Sequence, residues 1–121
     1  MTQPENPETQ NAQQNPPRKK TRREMLEAFV ASNPTDAFGL YGLAIECAKD
    51  DPAAAQQHFE KLLATNPDYV TGYFQYGQML ARMSRNEDAR RILNAGIEAG
   101  HRTGDHHAAE EMQGALAMLP S

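Results

Sequence analysis

Residues 36–67 read DAFGLYGLAIECAKDDPAAAQQHFEKLLATNP, and residues 69–100 read YVTGYFQYGQMLARMSRNEDARRILNAGIEAG. Laid side by side, the two stretches decide the fold. Ala55, Phe59 and Leu62 recur 34 residues later as Ala89, Leu93 and Gly96. Leu40, Leu43, Ala44 and Cys47 recur 33 residues later as Tyr73, Tyr76, Gly77 and Leu80, so one residue fewer separates the first pair of helices. Within each half, apolar residues return at i, i+3, i+4 and i+7, the period of one helix face. No stretch alternates with period two for long enough to make a strand.

Working outward from the repeat, helix signals recur on both sides. Thr21 with Glu24 makes a capping box ahead of Met25, Leu26, Phe29 and Val30, and Asn33-Pro34 stops that first helix. The second helix opens near Thr35 or Asp36. Asp51-Pro52 opens the third, with proline at the first helical position, where a missing N–H costs nothing. Asn66-Pro67 closes it. The fourth repeats the second, and the fifth repeats the third with Asn86 near its start. Gly100 and Gly104 mark a looser link to a sixth helix from about Asp105, whose apolar face is Ala108, Met112, Ala115, Leu116 and Leu119. The expectation is an all-α chain of about six helices.

These residues resemble the tetratricopeptide repeat, a helix-turn-helix unit with a 34-residue period and a large-Leu-small-large, then Ala-large-Pro pattern. Residues 36–69 match as a first repeat, through Leu40, Leu43, Ala44, Cys47, Ala55, Phe59, Leu62 and Pro67. Residues 70–103 match as a second, through Tyr73, Tyr76, Gly77, Leu80, Ala89, Leu93 and Gly96. Residues 21–34 look like the closing half of a preceding unit, and residues 105–119 like a terminal cap. There are departures: neither unit carries a Trp, Cys47 stands where a larger aromatic is usual, and His101 replaces the closing Pro of the second unit.

The resemblance implies an antiparallel helix-hairpin α-solenoid that binds protein and performs no chemistry. It implies that the first helix of each unit lines a concave face suited to a peptide or helix segment. The partner-binding positions are then Phe38, Tyr41, Ile45 and Lys49 from the first unit. The second supplies Thr71, Phe74, Gln78 and Arg82. The competing reading is that Tyr41, Ile45 and Phe74 pack into neighbouring helices. Some family members grip a terminal carboxylate with Lys and Asn. Tyr41, Ile45 and Gln75 stand at those positions here, so that clamp does not carry over.

Composition limits the alternatives. The chain has 121 residues and a formal charge of −4, but residues 1–23 hold five basic side chains against Glu5 and Glu8. The rest therefore carries −7, a poor surface for nucleic acid, whose phosphates attract basic patches. Residues 1–20 are rich in Gln, Asn and Pro and are expected to be disordered, leaving a domain over 21–121. Their basic end, Arg18, Lys19 and Lys20 with Arg22 and Arg23, reads as a solvated arm, or as a tether to an anionic surface. A third class of function is a self-associating repeat unit forming a homodimer.

Cys47 alone cannot build a disulfide framework and fits a reducing cytoplasmic setting. No apolar run approaches the length of a membrane span. Neither a Gly-rich phosphate loop nor a nucleophile elbow occurs, and no cofactor is implied. His101, Asp105, His106 and His107 are close in sequence, but adjacent histidines point apart on a helix and no His-x-x-x-His pair supports a metal. His58 is expected at the surface, and Cys47 as inert packing on a buried face.

Overall fold

The computed structural model describes residues 20–121. Residues 1–19, and with them the expected disorder of the N-terminal segment, lie outside the described residues. The helices are α1 (Arg22–Ser32), α2 (Ala37–Ala48), α3 (Pro52–Thr65), α4 (Val70–Arg82), α5 (Asn86–Thr103) and α6 (His106–Ala117). Among the described residues there is no strand, and no helix is long and apolar enough to cross a membrane.

Local chemistry accounts for most boundaries. The Thr21 hydroxyl accepts from the Glu24 N–H at 3.1 Å, and the Thr21 N–H donates to Glu24 Oε1 at 2.9 Å, closing the box that starts α1. Asp36 accepts from Gly39 N–H at 2.9 Å and Asp51 from Ala54 N–H at 3.3 Å, which satisfies donors that the first turns of α2 and α3 cannot pair internally. α4 and α5 start without any side-chain cap. Between them Ser84 takes a left-handed φ of 61°. That backbone disfavours an L side chain.

Consecutive helices pair as hairpins, α2 with α3 and α4 with α5, and α6 lies against α5 and α4. One continuous core runs between them. Leu40, Ala44, Cys47, Ala55, Phe59, Leu62, Leu80, Ala89 and Met112 are 0% exposed, so the repeated positions found by sequence are the core. Phe59 stacks on Tyr76 with ring centroids 5.1 Å apart and planes 11° apart. Both buried phenols keep a partner. Tyr76 donates to Glu60 at 2.8 Å and Tyr73 to the Pro67 carbonyl at 2.7 Å. A hydroxyl taken out of water needs such a bond.

Two expectations change. Gly100 is not part of a loose link: it lies inside α5 and is buried, and a Cβ there would press on the Asp105 carbonyl and on Ala109. Only Gly104, with φ 82°, turns the chain, and the Asp105 N–H returns to the Gly100 carbonyl at 2.7 Å. The last hairpin is therefore as tight as the others, and Ala109 with Met112, rather than Leu116 or Leu119, is its buried contact. The second change concerns α1, none of whose residues is buried. Half of its apolar stripe, Leu26 and Val30, packs on α2, while Met25 and Phe29 stay 54% and 42% exposed.

Candidate binding groove

The helical period puts Phe38, Tyr41, Ile45 and Lys49 on one stripe of α2, and Thr71, Phe74, Gln78 and Arg82 on the matching stripe of α4. Because the two helices are first members of successive hairpins, their stripes stand side by side. Five residues line a shared cleft of about 340 Å³: Ile45 and Ala48 of α2 with its C-cap Lys49, and Gln75 and Arg82 of α4. The two repeats thus make one site with an apolar floor and a cation from each side.

The eight sequence-derived positions fall into distinct settings. Ile45, Lys49 and Arg82 meet in that cleft. Gln78 and Arg82 also border a second cleft of about 450 Å³, closed on its far side by Ala115, Met118 and Leu119 of the C-terminal segment. Tyr41 and Phe74 are half-buried against the core, and the Tyr41 ring meets Tyr69 at 5.3 Å, with burial pushing both phenols up in pKa. Thr71 is exposed and borders neither cleft. Phe38 is 73% exposed and lies at the other end of the stripe, in a cleft with Met25, Leu26 and Phe29.

Sequence reasoning missed Ala48 and the contribution of the C-terminal segment, and it named Gln75 only as a position where the carboxylate clamp is lacking. Ala48 and Gln75 lie one residue off the main stripes, so single-helix periodicity gave no reason to choose them. The surplus of apolar residues after Ala115 was a usable signal, since Met118 remains 83% exposed.

Charge in the groove is unevenly committed. Lys49 Nζ pairs with Glu46 at 2.9 Å, and Glu46 also receives Arg22 Nε at 3.1 Å. Arg82, Gln75 and Gln78 have no hydrogen-bond or ion-pair partner among the described residues. Of the basic run, Arg18 and Lys19 lie outside the described residues. Arg23 is tied down on the surface of the fold, meeting Glu27 at 3.0 Å and Asp51 at 3.1 Å. The bond from Arg23, with that from the Ala54 N–H, holds the Asp51 carboxyl below its ordinary range.

The histidines have local roles. His101 Nδ1 and His106 Nδ1 stand 3.1 Å apart, a separation at which one ring N–H donates to the other nitrogen. His107 lies 3.5 Å from Glu111. No group of three or more His, Cys, Asp or Glu among the described residues is arranged to hold a metal ion. His58 is half-buried rather than on the open surface, and that burial lowers its pKa. Cys47 is buried, and desolvation pushes its thiol up, away from the reactive thiolate.

A tetratricopeptide repeat family model matches residues 48–119. The chain belongs to the tetratricopeptide repeat family. Two solved structures agree. A tetratricopeptide repeat domain protein from Salinibacter ruber, solved by solution NMR, is 36% identical, with TM-score 0.66, over 69% of this chain and 86% of that one. A crystal structure of a tetratricopeptide repeat domain protein from the same organism is 37% identical, with TM-score 0.61, over 68% and 93%. No curated protein matches the chain. Tetratricopeptide repeats are scaffolds for protein–protein interaction, and the family match begins at Ala48, so α2 is tied to the repeat by its 33-residue correspondence with α4.

Proposed function

We propose that the chain is a protein-interaction module of the cytoplasm whose concave face holds a peptide or helix segment of another protein. The observation that carries this reading is the shared cleft in which Ile45, Ala48 and Lys49 meet Gln75 and Arg82. An apolar floor with unpaired polar groups at its rim matches what peptide-binding grooves need: burial for affinity and a few placed polar groups for orientation. The surrounding body is acidic, with −7 beyond residue 23, so the Arg82 guanidinium and Lys49 ammonium distinguish the groove from the surface around it. The module supplies binding alone and assigns chemistry to none of its residues.

Charge reversal tests the proposal without disturbing the core, since Lys49 and Arg82 are exposed. Affinity capture from a lysate of the source cell would compare the native chain with Lys49→Glu/Arg82→Glu, after circular dichroism shows equal helicity. The expected result is at least one protein retained by the native chain and lost by the variant. Identical retained sets would remove the groove as the binding face.

A further inference from the structure

The N-terminal end of the stack contains a place for one more helix, and the rest of the chain defines its shape. α1 stands to α2 as α3 stands to α4. Both α1 and α3 end on an asparagine, Asn33 at φ −136°, ψ 68° and Asn66 at φ −137°, ψ 70°. A Cβ on Gly39 would meet Phe29 and Val30, and one on Gly72 would meet Leu62 and Leu63. A shift of 33 residues therefore superposes Phe29 on Leu62, Leu26 on Phe59 and Arg22 on Ala55.

The environments of these pairs differ in one respect. Ala55, Phe59 and Leu62 are 0% exposed because α3 is covered from both sides, by α2 and by α4 through Tyr76 and Gly72. On α1 no helix among the described residues takes the equivalent place. Phe29 remains 42% exposed, the Arg22 side chain 68% exposed, and with Met25, Leu26 and Phe38 they line an open cleft of about 250 Å³.

Composition, symmetry and charge select the occupant. The segment before Lys20 holds four prolines and, apart from Met1 and Ala12, no apolar side chain, so it has no stripe to offer. A second copy laid on the cleft through its own α1, antiparallel, would bring the last turn Phe29–Ser32, which carries no acidic side chain, to Lys20 and Arg22. Charge favours a helix from a different protein. A helix in the place that α2 holds on α3 runs antiparallel to α1, so its last turn lies beside Lys20 and Arg22. A helix C-terminus carries partial negative charge, and it is complemented by Lys20 and by Arg22, which meets Glu46 through Nε at 3.1 Å but keeps its side chain 68% exposed.

We propose that this cleft docks an amphipathic helix of a partner protein, its apolar stripe on Met25, Phe29 and Phe38 and acidic residues of its last turn at Lys20 and Arg22. The site is separate from the concave groove. Arginine where α3 has Ala55 holds the partner's last turn farther off than α2 is held, and an acidic side chain spans that gap.

The probe is a labelled synthetic peptide following residues 36–51, the segment that fills the equivalent place on α3. It carries Cys47→Ala, with Tyr41→Glu and Ile45→Glu on its outward face, and keeps Asp50-Asp51 at its end. Fluorescence anisotropy with the full chain should give saturable binding with Kd of about 10–100 μM, in keeping with a small interface. Met25→Glu/Phe38→Glu, both at exposed positions, should weaken it at least tenfold. A peptide ending in Lys-Lys should bind at least threefold more weakly, and Arg82→Glu, which leaves the Lys49–Glu46–Arg22 contacts intact, should leave binding unchanged. The last result separates this site from the groove. No saturable binding, or equal binding by the Met25→Glu/Phe38→Glu variant or by the Lys-ended peptide, would overturn the proposal. So would a dimer in sedimentation that Phe38→Glu abolishes, which would make a second copy the occupant. Tighter peptide binding after removal of residues 1–17 would overturn it as well, by making the chain's own segment the cover.

Discussion

Alanine at Gly96 should destabilise the protein by about 2 kcal/mol, a net figure left after two opposing effects. In a helix interior alanine is favoured over glycine by up to roughly 1 kcal/mol, so the substitution would stabilise an exposed site. Here a Cβ would lie 2.5 Å from Cβ of Tyr73 and against Met112 Sδ. The Tyr73 Cβ is tied to the backbone of α4 and cannot rotate away, so α4 and α5 must separate. Gly77 provides the internal comparison. A Cβ there would meet the branched end of Leu93, at 2.6 Å from Cδ2 and 2.8 Å from Cγ. A side-chain end can change rotamer, so Gly77→Ala should cost less. Urea unfolding of the two variants checks the order, and a smaller loss at Gly96 than at Gly77 would contradict this account. For a domain of this size the Gly96→Ala loss corresponds to a fall in Tm of about 8–16 °C.

Phe59→Ala should be the more damaging change, at about 3–5 kcal/mol. Phe59 is 0% exposed and stacks on Tyr76, so truncation leaves a void and strips one face from a second aromatic ring. Tyr76 is anchored by its bond to Glu60 and cannot easily follow the collapse. Stabilities of domains like this are on the order of 5–15 kcal/mol, so the variant should unfold at markedly lower urea, with the same m-value if the transition remains cooperative. A loss below about 1 kcal/mol would mean that the α3–α4 contact is looser than its packing indicates.

The features that were legible in the sequence are those carried within one helix or by the repeat. Capping at Thr21, Asp36 and Asp51 involves residues three apart, so local spacing is enough to find it. The core positions from Leu40 to Leu93 were legible because the same pattern occurs twice. Helical periodicity placed Ile45, Lys49 and Arg82 of the eight stripe positions in the shared cleft and left Phe38 and Thr71 outside it. Features that depend on the angle between helices were not legible. Gln75 and Ala48 enter the cleft only because α2 and α4 lie side by side. Gly100 reads as a chain break in sequence because glycine punctuates structure so often, yet in α5 it provides the close approach of α6. The exposed half of α1 was the hardest to foresee. Met25 and Phe29 have the spacing of a buried stripe, and burial depends on whether a neighbour is there.

The order of packing has a kinetic consequence. Each helix touches only those one or two places away along the chain, so no distant ends must be brought together before contacts start to form. Chains with such local contacts fold fast, and a stack of repeats can nucleate at any hairpin and grow in either direction. The same linearity sets the order of opening. Among the described residues α1 has a single neighbouring helix and no buried residue, so its amides should exchange with solvent well before those of α4, which is flanked on both sides. A helix docked at the N-terminal end would then slow exchange in α1 first, giving that end a protection it lacks alone.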